Sequence, residues 1–454
     1  MDKTTERLVD YAMEARHEAL SAETRHECKR RLVDTYACAM GAYDDSVCRI
    51  AREIAEQYSG KSGASVWGSG IKTVPEMAAF ANGVMVRFMD ISDTYQGKGR
   101  GHPSDVISGI LAIGEAVHAD GPSVINAITV AYDVYCSFED AIDINSKGWD
   151  HAVYGVVAGA LGAGKVLGLS CEQMAHAVAL AVAPNMALIV SRHGDLSNWK
   201  GCAGANASRN SVFAAMLAHR GLTGPGAAFE GKGGLWEALG GGFAWPLPDP
   251  NAPRMITRTH LKSLPICYHG QSAVLAAFEL RRRVPIDDIG EIEVDTYGVA
   301  IQMMAGDPNR WAPTTHETAD HSLPYVVSRA LLDGKIESAS FTHERLTDPT
   351  VLKMMRKVKV RESRALSERY PQGAPARLTV RLNSGEELVH EIEHPLGHAG
   401  NPMNDAQLEE KFRRMFGAVG RSDRCEQALR VLWNFDKAAD VSLDVFEPLA
   451  AVHR

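Results

Sequence analysis

Hydrophobic periodicity changes along this chain near Pro285, and that change constrains the fold more than any single motif. From residue 1 to about 280, apolar residues recur at three- and four-residue spacing. In RRLVDTYACAMGAY, for example, Leu32, Val33, Tyr36, Ala37 and Met40 share one helical face. Beyond Pro285, IGEIEVDTYGV alternates as a strand does, and RLTVRLNSGEELVHEIE reads as two strands joined by a turn at Asn383, Ser384 and Gly385. ADHSLPYVVSRALLDG and DPTVLKMMRKVKV lie between them with helical spacing, and DAQLEEKFRRMF and CEQALRVLWNF return to it near the end.

The expected fold is therefore mainly α: a large all-helical domain over residues 1–270, rejoined by residues 400–454, and a smaller α+β lid domain over residues 271–399. At 454 residues the chain is long enough for two domains. Ser170 and Gln173 form a capping-box signature ahead of MAHAVALAVA. The small residues of GVVAGALGAGKVLGL let helices approach closely, so tight packing is expected there.

Several function classes drop out. The net charge is −8 and the basic residues are scattered, which leaves no electrostatic footprint for nucleic acid. The first residues form an amphipathic, charged segment with no apolar leader, and the most apolar stretch, AVALAVAPNMALIV, is broken by Pro184 and Asn185. No secretory signal and no membrane span are expected. The 8 cysteines include no CxxC pair, which argues for a reduced, cytoplasmic setting and against a disulfide framework or thiolate metal site. GALGAGKV ends in Val166, which cannot ligate magnesium, and the histidines of HETADH are five apart rather than the four that share a helical face. With GxGxxG and GxSxG also missing, no cofactor and no metal are expected.

What remains is a set of polar clusters held in apolar context: DISDTYQGKGRGHPSD, KGWDHAVYG, SRHGDLSNWKG, LKSLPICYHGQS and HETADHSLPY. Most place His or Lys beside Gly or Pro, as loop residues at the ends of rigid helices are placed. In the first, Asp90 and Thr94 are a helical turn apart, so a terminating helix can present both. His102 precedes Pro103, which suits the first position of the next helix, with Ser104 and Asp105 as caps.

DxxDTY followed by GHPSD, then S-x-WKG, GLTGPGAAFEG, K-x-x-P-x-x-x-HxQ and TADHSLPYxVxxALLDG, in this order, resemble the MmgE/PrpD family over nearly the whole chain. That family includes 2-methylcitrate dehydratases, cis-aconitate decarboxylases and related epimerases. The resemblance implies a helical domain built from both chain ends, a smaller lid, a homodimer and a cofactor-free site between domains. It also implies a cytoplasmic lyase of propionate metabolism whose site residues are Asp90, Thr94, His102, His151, Lys200 and Lys262, with His269 and Tyr325 in shared motifs.

Chemistry gives the same residues a meaning. Eliminating water from a hydroxy-tricarboxylate requires a base beside a carboxylate-bearing carbon, an acid for the departing hydroxyl, and cations. Histidine titrates near working pH, so His102 and His151 are the expected proton-transfer pair, with acid and base unassigned. Lys200, Lys262 and Arg192 are the expected carboxylate anchors, and Asp90 the residue that orients a histidine. Asp320 and His321 either cap a lid helix or touch the substrate. Cys267, Lys98 and Arg100 depart from the dehydratase pattern, which leaves the arrangement of substrate carboxylates open. Decarboxylation of a cis-aconitate-like acid and epimerisation of an iminodisuccinate-like acid use the same parts, and a non-catalytic binding protein on this fold is the alternative of another class.

Overall fold

The computed structural model describes residues 1–250, 254–417 and 422–450. Nine principal helices build the first part of the chain: α1 (Lys3–Glu14), α2 (Ala22–Gly41), α3 (Ser46–Glu56), α4 (Pro75–Phe88), α5 (Ile107–Ala116), α6 (Gly121–Ala141), α7 (Ala152–Val166), α8 (Cys171–Val182) and α9 (Trp199–His219). Their apolar faces merge into one core cluster running from Leu8 to Leu261, which Met403 to Leu449 of the C-terminal helices rejoin. The capping box at Ser170 and Gln173 opens α8.

Small residues set the spacing of these helices. A Cβ on Gly83 of α4 would lie 2.9 Å from the Cβ of Ala205 on α9, and one on Gly159 of α7 would lie 2.6 Å from the Ser211 hydroxyl of the same helix. Glycine is required at both positions because the Cβ atoms they would meet are fixed to the backbone of α9 and have no room to retreat. Within this helical unit the periodicity missed two antiparallel hairpins, β1 (Ser59–Val66) with β2 (Ile71–Thr73) and β3 (Tyr95–Gln96) with β4 (Arg100–Gly101). β1 reads SGKSGASV, too glycine- and serine-rich to show alternation, and β3 and β4 have two residues each, too few for a period.

A second core cluster runs from Ile266 to Leu388 and belongs to a four-stranded sheet in the order β6-β5-β7-β8. β5 (Ile289–Thr296) pairs in parallel with β6 (Val358–Glu362) and antiparallel with β7 (Ala376–Leu382), which turns at Gly385 into β8 (Glu387–Ile392). The end of DPTVLKMMRKVKV, expected as helix, is strand β6: the helix there ends at Met355 and Val358 begins the alternation. Helices Gln271–Arg281 and Leu323–Asp333 pack in this sheet unit. Among the described residues, no helix is long and apolar enough to cross a membrane.

Candidate active site between the two core clusters

A cavity of about 410 Å³ lies where the two units meet, lined by residues of both. The first wall comes from the chain after α4. That helix stops at Phe88, and Asp90 then adopts a left-handed backbone with φ of 47°. Asp90 and Thr94 therefore do not share a helical turn. Aspartate tolerates this conformation better than most residues, and adopting it turns the carboxylate into a nest of cations. Lys262 Nζ donates to Asp90 Oδ1 at 2.8 Å, Arg87 lies 3.2 Å from the same oxygen, and Lys200 Nζ and His321 Nε2 each lie 3.8 Å from Oδ2. Burial alone would raise the carboxyl, but Lys262, Lys200 and Arg87 outweigh it and hold the group well below the usual carboxylate range.

Asp90 does not orient a histidine as expected. The Nδ1 of His102 lies 2.7 Å from the backbone carbonyl of Asp93. A carbonyl only accepts, so Nδ1 carries the proton and Nε2 keeps its lone pair. Burial, then Arg87 and Lys262, press the imidazole well below its ordinary pKa, so it is neutral. His102 does precede a turn opened by Pro103, but the cap is Asp93, whose carboxylate accepts from the Ser104 amide at 2.9 Å. Asp105, expected as a cap, points inward instead: it lies 3.1 Å from Arg87 and 3.6 Å from His151 Nε2.

His151 sits at the entry to α7 with its ring 5.2 Å from that of His102, in an edge-to-face arrangement. Asp150 lies on its other side at 3.6 Å, clasped by Arg192 Nε at 2.5 Å. Arg192 also donates to the carbonyl of Lys200 at 2.8 Å, so it braces the start of α9 while lining the cavity.

Lys200 lies in the first turn of α9 and is buried, its Nζ 2.8 and 2.7 Å from the two oxygens of Asp320 in the sheet unit. Lys262 does not line the cavity; it lies behind Asp90 and carries that carboxylate rather than facing a ligand. Thr94 lines the cavity, its hydroxyl donating to the Gly101 carbonyl at 2.8 Å and its backbone bridging His260. His269 also lines it, held through Nδ1 by the Tyr297 hydroxyl at 2.7 Å. Tyr325 is a correction: it is fully buried in the sheet unit's core with its hydroxyl donating to the Ser340 carbonyl, and it does not reach the cavity.

Of Asp320 and His321, only His321 lines the cavity; Asp320 instead ties the sheet unit to Lys200 of the helical unit. Ser322, not Asp320, caps the helix Leu323–Asp333. His321 lines the cavity with its Nδ1 2.5 Å from Asp320, and Cys267 lines it too, its backbone amide donating to the Asp320 carbonyl at 3.0 Å. Burial would raise the thiol, yet His321 brings it below its ordinary value. His321 is itself raised, against burial, by Cys267 and Asp320. Asp90, Asp320 and His321 bring three donor atoms within 4.8 Å of one another. Both carboxylates already carry lysine ammonium groups, so a metal ion there would have to displace Lys200 and Lys262.

Residue patterns missed Arg87, Asp150, Arg310 and Tyr370. Arg87 had a signal, a single cation inside the apolar run VMVRFM, which places a charge where only a paired one is stable. Arg310 and Tyr370 are brought to the cavity by the sheet unit's loops and had none.

The chain matches the MmgE/PrpD N-terminal domain over residues 6–248 and the MmgE/PrpD C-terminal domain over residues 264–437. It is 27% identical to 2-methylcitrate dehydratase of Cupriavidus necator over 89% of this chain and 88% of that one. It is 26% identical to 2-methylcitrate dehydratase of Escherichia coli, with the same coverage. Against human cis-aconitate decarboxylase it is 25% identical, over 91% of this chain and 88% of that one.

Proposed function

Since the chain belongs to the MmgE/PrpD family, we propose that it is a carbon–oxygen lyase that dehydrates 2-methylcitrate or a related hydroxy-tricarboxylate. The observation that carries the reading is His102: a half-buried, neutral imidazole at the cavity, its proton fixed on Nδ1 and its Nε2 lone pair available. In this mechanism Nε2 takes the proton from the carbon beside a carboxylate, the electron pair of that C–H bond becomes the new double bond, and the C–O bond breaks. His151 gives the departing hydroxyl a proton, so water leaves. Asp105 and Asp150 each lie 3.6 Å from His151 and hold the ring in place for this transfer.

Negative charge accumulates on the substrate carboxylate as the C–H bond breaks. Lys200, Arg192 and Arg100 line the cavity and favour that charge, with Lys200 held in place by Asp320. Lys262 acts one layer back by fixing Asp90. The homodimer and the cytoplasmic, propionate-metabolising setting belong to the same proposal.

A second reading, decarboxylation of a cis-aconitate-like acid or epimerisation of an iminodisuccinate-like one, is favoured by Cys267. A thiol that His321 brings below its ordinary pKa is a second proton carrier at the cavity, and both reactions return a proton to carbon.

Incubating the purified protein with citrate, 2-methylcitrate, cis-aconitate and iminodisuccinate separates these readings. Dehydration raises unsaturated-acid absorbance with the hydroxy acids, decarboxylation releases carbon dioxide from cis-aconitate, and epimerisation appears only on chiral analysis. Silence with both hydroxy acids would sink the dehydratase reading.

A further inference from the structure

Most cations around the cavity are already answered by carboxylates of the protein. Arg87 faces Asp90 and Asp105, Lys262 faces Asp90, Lys200 faces Asp320 and Arg192 faces Asp150. Arg310 differs from all of these. It lines the cavity from the sheet unit, its residue surface is 3% exposed, and its Nε and Nη1 are buried with no hydrogen-bond partner. Among the described residues no carboxylate hydrogen-bonds Nε or Nη1, although Asp307, Asp320 and Asp195 lie near enough to favour its charge.

The backbone gives this side chain little freedom to escape. Arg310 lies in the turn Pro308–Trp311, whose cap Asp307 accepts from the Asn309 amide at 3.0 Å, while the Arg310 amide donates to the Asp307 carbonyl at 2.9 Å. Its own carbonyl accepts from the Ser322 hydroxyl, and Trp311 Nε1 donates to the Ala305 carbonyl at 2.8 Å. Asp307 Oδ2 accepts from the Gly194 amide at 3.2 Å, which ties the turn to the loop that bears Arg192. A guanidinium does not shed its proton, so a buried one with unfilled donors is a standing cost to the ligand-free protein. An arriving anion removes that cost, and charge-assisted hydrogen bonds to a carboxylate suit the group best.

We infer that Arg310 binds one carboxylate of the substrate, at the sheet-unit end of the cavity beside Cys267 and His321. The inference rests on the reading that the cavity takes polycarboxylates. It adds that at least one anionic group of the substrate is held from the sheet unit, by a residue outside the expected set, while His102, His151 and Lys200 act from the helical unit.

Thermal unfolding of the full chain tests it, with wild type, Arg310→Met and Arg310→Lys, each alone and titrated with citrate, 2-methylcitrate and cis-aconitate. Without ligand, Arg310→Met is expected to melt at or above wild type, because an unpaired buried charge has been removed. With an acid that raises the wild-type midpoint, Arg310→Met should need at least about tenfold more of it for the same shift, with Arg310→Lys in between. An Arg310→Met protein that melts well below wild type without ligand would make the arginine structural and overturn the inference. Equal responses of wild type and Arg310→Met would overturn it as well. A wild-type protein unmoved by all three acids would remove the polycarboxylate reading, and the inference with it.

Discussion

His102 is the side chain whose surroundings define one chemical state most narrowly. The Asp93 carbonyl fixes its tautomer, and burial with Arg87 keeps it neutral, so its contribution should be separable from stability. His102→Gln keeps size and polarity but cannot carry the proton; kcat/KM should fall about a hundred- to ten-thousandfold with the melting midpoint little changed, as steady-state rates and calorimetry would show. Lys200 and Asp320 should behave in the opposite way. Each is buried and they are 2.7–2.8 Å apart, so Asp320→Asn strands an ammonium and should lose about 3 kcal/mol in urea denaturation. The double variant Lys200→Met with Asp320→Asn should lose less than the sum of the two single changes, and additive losses would mean that the pair is not coupled. His102, His151 and Lys200 all line the cavity, and the sequence singled them out because each is ionisable within an apolar or glycine-broken stretch and falls in a motif shared with the family. Their partners were not legible there, since Lys200 and Asp320 are 120 residues apart and Lys262 and Asp90 are 172 apart. Tyr325 misled because a shared motif holds core positions as firmly as ligand-facing ones, and an aromatic suits either.

Elements carry the site through the closeness of their backbones, and α9 shows how little slack there is. A Cβ on Gly204 would lie 2.1 Å from Asp105 Oδ2 and 2.4 Å from its Cγ. Gly204→Ala must therefore push the Asp105 carboxylate away from Arg87 and His151. We expect about 1–3 kcal/mol of lost stability and at least about tenfold lost activity, although position 204 itself does not line the cavity. Gly155→Ala on α7 is the matched control: its new methyl would have no neighbour nearer than 3.4 Å, and the helix gains from losing a glycine. Equal damage at both positions, by unfolding and by turnover, would mean that crowding at Asp105 is irrelevant. The helices were readable because a 3.6-residue pattern accumulates over ten or more residues. The β3–β4 hairpin was not, although Gln96 and Arg100 reach the cavity from it, because it pairs only Tyr95 with Gly101 and Gln96 with Arg100, too few residues to leave a periodic trace.

At the scale of the whole molecule, the chain crosses between the two core clusters twice, once between Leu261 and Ile266 and again between Leu388 and Met403. The crossings are pinned to each other. Leu261 donates its amide to the Gly397 carbonyl at 2.9 Å, and the Ala399 amide donates to His260 Nδ1 at 2.9 Å. His260, His398 and His394 stack in sequence with ring centroids 4.2 and 4.5 Å apart. Burial, then the neighbouring His394, lowers His398 to about 4, and burial with His398 holds His260 well below its ordinary value. The sign follows from proton binding: an unfolded His398 takes up a proton below about pH 6.5 while the folded one refuses it until about 4, so its stabilising contribution is lost as pH falls through that window. Other groups act in the same range; Glu139 is raised well above its ordinary value and Asp133 to about 6, chiefly by burial, and both favour the folded state as pH falls. The wild-type curve therefore mixes opposing terms, whereas the difference between wild type and His398→Asn isolates one of them. Although His398→Asn is expected to be less stable at pH 7, its loss on going to pH 4.5 should be smaller than the wild-type loss by about 2 kcal/mol, measured by urea denaturation at both values. Parallel losses in the two proteins would show that the stack does not hold the crossing segments together against acid.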